Sequence, residues 1–177
     1  MRLFRYEGYT MTVEPEAILL KPFKKLWNRD KSQNKERAIM ELGFIYFMVD
    51  PRSDYQYIVD EEQRKNAIKE GEGLPEKWEP DKYVNEAMIF YNSFKSTSAL
   101  LLEDTRAMVD GYRMKIRDLT ANMTELDVKE TKEIGAIIKQ IPSLIKDLDE
   151  AEKAVAKEVT QNDKVRGAAE KAMYEDL

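Results

Sequence analysis

The stretch that decides the fold runs from Asp81 to Leu119 and reads DKYVNEAMIFYNSFKSTSALLLEDTRAMVDGYRMKIRDL. Its apolar residues recur every three or four positions, which is the spacing of one face of an α-helix. Pro80 suits a first helical turn, and either Glu79 or Asp81 can cap the free amides there. The hydroxyl residues Ser96–Ser98 favour caps over helix interiors. The stretch therefore predicts one long kinked helix or two helices joined at Ser96–Ser98.

The composition narrows the class of protein. The 177 residues fit one domain of about 100–200 residues, and the charged fraction of 36% exceeds the usual value of about 25%. Only seven glycines and six prolines are present, which favours long helices over a β-sandwich. A net charge of −5 gives no general attraction to nucleic acid or anionic lipid. We expect an all-α protein, a long-helix bundle with a short extended or β N-terminal arm and a helical C-terminal tail.

Several kinds of chemistry are excluded by residue type. The sequence has no cysteine and no histidine, so it has no disulfide, thiolate zinc site, thiol nucleophile or imidazole base. The N-terminal residues Met1–Glu7 lack the apolar core of a signal peptide. The longest apolar run, Gly43–Val49, is far shorter than the roughly 20 residues that a bilayer helix needs. We expect a soluble intracellular product without membrane contact.

The pattern divides the chain into an extended N-terminal arm (1–30), a helical body (31–160) and a C-terminal helix or tail (161–177). In the arm, apolar residues alternate with polar ones from Tyr9 to Val13, as in a half-buried strand. Prolines at 15 and 22 forbid one continuous helix, although 16–20 can form a short one. An arm that exposes large apolar side chains is docked on its own body or on a neighbour. The interface candidates in the arm are Tyr9, Phe23, Leu26 and Trp27.

The body contains further helices. A helix from about Asn34 to Asp50 is apolar through its second half, which predicts a buried core helix, and a second helix with an acidic first turn spans 60–71. A long helical block begins near Asp127, a candidate N-cap. Pro142 is expected to break or kink this block at Ile141. Beyond it the apolar spacing is close to a heptad repeat, and the interface candidates there are Leu144, Leu148 and Val155.

Four possible sites each have a simpler structural interpretation. Gly71-Glu72-Gly73 lacks the other elements of a phosphate loop and is interpreted as a connection between helices. An acidic group does not follow the EF-hand order, and helix-end roles are favoured for two of its members. Its residues are Asp50, Asp54, Asp60 and Glu61. Carboxylate pairs such as Glu14 and Glu16 have no supporting motif. The sequence therefore predicts no catalytic residue, no cofactor and no metal site.

The fourth site is the only segment in which basic and aromatic residues interleave. Its residues are Lys21, Phe23, Lys24, Lys25, Trp27, Arg29 and Lys31. It could contact nucleic acid by phosphate neutralisation and base stacking. The favoured alternative is that the lysines extend around buried aromatic rings, given the opposing net charge.

One block of the sequence resembles a known group of proteins. Ile58–Glu62, Gly73–Pro75 and then Trp78–Ala87 resemble structural proteins of crAss-like tailed phages, and the chain is most similar in kind to the head-to-tail connector, the adaptor ring beneath the portal. The similarity in pattern covers roughly residues 35–160. It implies a mostly helical virion protein without catalytic residues, assembled in the host cytoplasm. Such adaptors form homo-oligomeric, dodecameric rings that bind the portal and other tail or ring proteins, and DNA passes through without specific binding.

By this resemblance, the central helices would form the ring wall, and the arm or the tail would clamp the portal or a neighbouring subunit, with Phe23 and Trp27 as anchors. Two other functions stay open at this point. The first is a stand-alone intracellular helical module that binds a protein partner. The second is a carboxylate-dependent hydrolase, which would need a turnover that disappears on mutation of one specific carboxylate.

Overall fold

The structure is a computed structural model and describes residues 3–8, 10–121 and 128–175. Within those ranges the chain is mostly helical, with seven α-helices and one two-stranded sheet, so the predicted all-α class is confirmed. The chain divides into two compact units, Met1–Lys95 (unit 1) and Ser96–Leu177 (unit 2). Each unit is built around apolar residues of its own.

Unit 1 begins with a β-hairpin. Strand β1 (Phe4–Glu7) pairs antiparallel with β2 (Thr10–Val13), and Phe4 lies opposite Val13. Gly8 adopts a φ of 56°, which glycine reaches without steric cost, at the turn. Met11 and Val13 are partly buried while Thr10 and Thr12, which alternate with them, are exposed, so the predicted alternation is confirmed there. Tyr9 lies outside the described residues.

The rest of the predicted arm is helical rather than extended. Helix α1 spans Pro15–Leu19 and α2 spans Lys21–Arg29, with an extended Leu20 between them. Each helix carries a proline in its first two positions, where the missing N–H has no intrahelical partner in any case. The prolines do separate two helices as predicted. They also start them, which the sequence interpretation missed.

Three longer helices complete unit 1. Helix α3 (Glu36–Val49) is buried along nearly all of its second half, which confirms the predicted core helix. Helix α4 (Glu61–Gly71) follows a short 3-10 turn, and α5 (Lys82–Asn92) comes last. Asp60 and Asp81 are the N-caps, since their carboxylates accept hydrogen bonds from first-turn amides of α4 and α5. Helix α3 packs against α2, α4, α5 and β2.

The core of unit 1 joins the hairpin to the helices. The ring of Phe4 meets those of Phe23 and Tyr91 edge-on, with centroids 5.3 and 5.1 Å away. The large apolar side chains that are fully buried in the core of unit 1 are Leu3, Phe4, Phe23, Leu26, Leu42, Phe44, Ile45, Ile68 and Val84. The N-terminal segment is therefore docked on the body of its own chain.

The loop between α2 and α3 caps α3 from a distance. Lys35 occupies the cap position in a left-handed conformation and offers no capping side chain. Asp30, five residues earlier, supplies the missing acceptor. Its carboxylate accepts hydrogen bonds from the amides of Ala38 (3.0 Å) and Ser32 (2.8 Å). These bonds, the one from Ala38 foremost, lower the pKa of Asp30 to about 2.

This cap predicts an acid-sensitive step in stability. Because the pKa of Asp30 is lower in the folded chain than in the unfolded one, its contribution is complete above about pH 4 and is lost as the pH falls towards 2. We expect urea unfolding between pH 2 and 7 to show that the free energy of unfolding falls less on acidification in Asp30→Asn than in the wild type. The matched change at the exposed Glu76, Glu76→Gln, should leave the wild-type pH dependence intact. Identical profiles for Asp30→Asn and wild type would contradict the capping role.

Unit 2 is an antiparallel helical hairpin of α6 (Thr97–Ala121) and α7 (Val128–Glu175). Arg106 meets Glu152 at 3.1 Å, and Lys115 meets Glu133, so the two helices run in opposite directions. Two helices therefore occupy the stretch 81–119, and they are joined at residues 93–96 rather than at Ser96–Ser98, since α6 already begins at Thr97. Ser96 caps α6, because its hydroxyl accepts from the amide of Ala99. This is the role that the hydroxyl residues predicted.

Helix α7 runs through Pro142 without ending, so of the predicted break or kink at Ile141 the break is wrong. Proline in a helix interior costs about 3 kcal/mol. The proline itself is exposed, while Ile137 before it and Ala151 after it are buried, so packing on both sides holds the helix together. The helix continues to Glu175, as predicted for the tail. The candidate cap Asp127 lies outside the described residues.

Candidate interaction surfaces

The acidic group and the paired glycines have structural roles. Asp50 is buried and forms two hydrogen bonds with the guanidinium of Arg52, at 2.7 and 2.6 Å. The Tyr91 hydroxyl donates to the same carboxylate at 2.5 Å. A Cβ added at Gly71 would collide with the hydroxyl of Tyr55, which explains that glycine as a packing requirement. In the described parts of the chain, no three acidic side chains are placed to hold a metal ion.

The protonation states of this cluster follow from its contacts. Burial alone would raise the pKa of Asp50, but its hydrogen bonds and ion pair with Arg52 and the bond from Tyr91 outweigh it and lower the pKa. Burial first, and then the adjacent negative charge of Asp50, raise the pKa of Tyr91. Asp50 is thus a charged, fully partnered group at the end of α3. Nothing in this geometry activates it as an acid or a base.

The interface candidates of the arm lie in or against the core of unit 1. Phe23 and Leu26 are fully buried there. Trp27 is partly buried against the same core, and the amine of Lys35 lies 6.0 Å from its ring centroid. The fourth, Tyr9, is outside the described residues. Burial therefore assigns Phe23 and Leu26 to the folding of their own chain.

The candidates on α7 face its partner helix. Val155 is buried in the small apolar cluster of unit 2, and Leu148 packs against that cluster. Leu144 is partly buried at the preceding position of the same helical face. Val155 and Leu148 therefore help to hold α6 and α7 together within one chain.

The basic segment lies on α2 and just after it, and of its two aromatic rings one is fully buried and the other, that of Trp27, is partly buried. Lys21, Lys24 and Lys25 are exposed, and Lys25 pairs with Glu86 at 3.4 Å. Phe23 is fully buried beneath them. A ring in the core cannot stack on a nucleic-acid base. The arrangement matches the favoured interpretation of lysines around buried rings.

Unit 1 carries a groove of about 330 Å³ beside α3. Its floor is apolar, and two carboxylates, Glu36 and Glu72, line it. The Tyr55 hydroxyl donates to Glu72 at 2.8 Å, which fixes that carboxylate. The apolar lining residues are Tyr6, Met11, Ile39, Met40, Gly43, Phe44, Phe47 and Leu74. The shape and charge suit an apolar group next to a cation.

Unit 2 exposes apolar residues on the side of α6 that faces away from α7. Leu101 is 57% exposed and Met108 is 52% exposed. We call this surface the outer face of α6, and it consists of Leu100, Leu101, Ala107, Met108, Gly111 and Met114. Such a surface on a helix is typical of a contact with another protein.

Helix α7 carries a second surface that the sequence interpretation missed. We call it the lysine face, and it consists of Lys132, Lys139, Lys146 and Lys153. All four are exposed and follow one another at intervals of seven residues, so they share one side of the helix. The spacing is visible in the sequence, but charged residues on a helix are ordinarily taken as a solvated surface.

Comparisons of the chain with protein-family models, with curated proteins and with solved structures found no match. Among the described residues, no helix is both long and apolar enough to cross a bilayer. What the groove and the faces of the hairpin bind is therefore inferred from their own shape and charge.

Proposed function

We propose that this chain is a virion structural protein, a subunit of an adaptor ring between the portal and the tail of a crAss-like phage. In this role it binds copies of itself, the portal and other tail or ring proteins, and it forms part of the conduit through which DNA passes. The proposal assigns no catalytic step to the chain. It joins the resemblance of residues 58–87 to the properties of the helical hairpin.

The observation that carries the proposal is the small core of unit 2. Among the residues of unit 2 whose burial the structure describes, the buried apolar side chains are Ala99, Leu102, Ile137, Ala151 and Val155, with Leu148 packed against four of them. Helix α7 alone has 48 residues, a length of about 72 Å. Helices of proteins gain most of their stability from packed apolar faces. A hairpin with so little core among its described side chains and with an apolar outer face is expected to be completed by other protein chains.

Unit 1 supports the proposal in a different way. Its core is extensive and includes residues of the N-terminal β-hairpin, α2, α3 and α5. Unit 1 of each copy can therefore fold before the copies assemble, and the helical hairpin of unit 2 remains available for contacts between subunits. A structural adaptor needs both properties.

The proposal is tested by capture of the tagged full-length chain from its native source during phage production, with identification of the bound proteins by mass spectrometry. A portal protein and tail proteins in the captured material are the expected result. Cellular proteins without any virion protein would contradict the adaptor function.

The groove of unit 1 favours a second candidate, a stand-alone protein-binding module. Its apolar floor and its carboxylates, Glu36 and Glu72, suit an apolar segment that carries a lysine or arginine. A defined complex of one or two copies with a single cellular partner would favour this function. The substitution Glu72→Lys should then abolish that complex. It should not disturb a ring whose contacts are made by the helical hairpin of unit 2.

A further inference from the structure

The outer face of α6 has the shape of a surface that receives another helix. Leu101, Met108 and Met114 each expose about half of their area. Ala107 and Gly111, one turn apart, leave a shallow depression between them, and a Cβ at Gly111 would meet no atom within 4 Å. Glycine stabilises a helix less than alanine does. No residue in the described chain approaches Gly111 closely enough to require glycine there.

Two aspartates mark the same side of α6. Asp104 and Asp118 lie fourteen residues apart, one heptad before and one heptad after Gly111. Both are exposed, and neither forms an ion pair with any residue that the structure describes. The outer face is therefore apolar, with a negative charge one heptad to either side of Gly111.

The lysine face of α7 has the complementary pattern. Lys132 and Lys146 are also fourteen residues apart, with Lys139 midway between them. Ile138 and Ile145 precede two of these lysines and are more than half exposed. Lys146 also pairs with Glu150 of its own helix at 3.6 Å, but its side chain stays 75% exposed and can reach a second carboxylate. This surface thus offers apolar side chains near positive charges at the interval at which α6 offers negative ones.

Geometry brings the two surfaces together in adjacent copies. When two hairpins lie side by side in the same orientation, α6 of one meets α7 of the next in an antiparallel sense, as it meets its own α7. Asp104 can then face Lys146 of the partner subunit while Asp118 faces Lys132 of the partner subunit. Gly111 lies opposite Lys139 of the partner subunit, whose long side chain the depression can accommodate.

We propose that copies of this chain assemble side by side, with the outer face of α6 on the lysine face of α7 of the next copy. The inference rests on the proposed function, for which it names the contact between subunits. The two surfaces differ, so the contact is head-to-tail. Repetition of such a contact closes into a ring when the rotation between subunits permits it. Charges beside an apolar seam set the partner and the direction of the helices.

Paired cysteines test the contact directly, because the natural chain has no cysteine. The full-length variant Asp104→Cys/Lys146→Cys, treated with a short bismaleimide at high protein concentration, should give a ladder of cross-linked multimers. The two single variants should give no ladder alone and only dimers when mixed. Absence of a ladder from the double variant would overturn the inference. Efficient dimers from Asp104→Cys alone would also overturn it, in favour of a two-fold contact between α6 helices.

Charge reversal provides a second, independent test. Asp104→Lys/Asp118→Lys and Lys132→Glu/Lys146→Glu should each weaken association at least tenfold, as measured by sedimentation. Combination of the four substitutions in one chain, or a mixture of the two variants, should restore it, because each altered face then meets its complement. Wild-type association should also weaken with added salt. Failure of the combined variant to recover, with helix content unchanged by circular dichroism, would contradict the pairing.

The outcomes separate this inference from the proposed function. A ladder from the purified chain, together with capture that yields no portal, would retain the contact and reject the adaptor role. A captured ring with a portal, whose paired-cysteine subunits do not cross-link, would retain the adaptor role and reject this contact.

Discussion

Replacing Phe23 with alanine is expected to lower the free energy of unfolding of unit 1 by about 3–5 kcal/mol, the usual cost of truncating a buried phenylalanine. The ring of Phe23 is fully buried and meets those of Phe4, Phe90 and Tyr91 at centroid distances of 5.3, 5.7 and 6.0 Å. Alanine would leave a cavity where α2, α5 and the N-terminal hairpin meet. Both tryptophans lie in unit 1, so denaturant unfolding followed by tryptophan fluorescence reports this unit.

A matched control exists on the neighbouring helix. Leu19 is 77% exposed, and Leu19→Ala should change the free energy of unfolding by no more than about 0.5 kcal/mol. A Phe23→Ala chain with wild-type stability and impaired assembly would reverse the assignment. Phe23 would then be an interface anchor, as the sequence first suggested.

Replacing Asp50 with alanine is expected to cost about 3 kcal/mol, since removal of one partner of a buried ion pair leaves the other without its charge. Asp50 is 3% exposed, and the side chain of Arg52 is 24% exposed. The substitution also removes the acceptor of the Tyr91 hydroxyl, which links the end of α3 to α5. Tryptophan fluorescence during denaturation again measures the loss.

The control for Asp50 is the exposed Asp54, four residues along the chain. Asp54→Ala should change the free energy of unfolding by no more than about 0.5 kcal/mol. If Asp50→Ala unfolds at the same denaturant concentration as Asp54→Ala, the ion pair with Arg52 contributes no net stability to the fold.

Local signals in the sequence predicted the elements that local contacts stabilise. The apolar second half of α3 predicted a buried helix, and Asp60, Asp81 and Ser96 are caps because the amides that they serve lie two or three residues away. The two helices within 81–119 follow from the same short-range chemistry.

Contacts between distant residues account for what the sequence did not predict. Pro15 and Pro22 suggested an extended arm, but both occupy first turns of helices. Helix α1 packs against α2, and α2 packs against α3 and α5. Asp30 caps α3 across a loop, and no capping pattern includes that spacing. Phe23 appeared to be an anchor for a partner because its burial depends on Phe4 and Tyr91, which lie far from it in the chain.

The candidate surfaces divide in the same way. The seven-residue interval of the lysines on α7 is present in the sequence, yet only the structure shows that they turn away from α6. The groove of unit 1 combines residues of the N-terminal hairpin, α3 and the end of α4, so no local pattern could reveal it. The exposure of Leu101 and Met108 likewise depends on which face α7 covers.

The central claim is that several copies of this chain assemble through their helical hairpins. The most direct test is the mass of the intact complex captured from the native source, measured by native mass spectrometry. We expect a mass that contains many copies of the 20.7 kDa chain in one symmetric assembly. A complex that contains a single copy of the chain would contradict the claim.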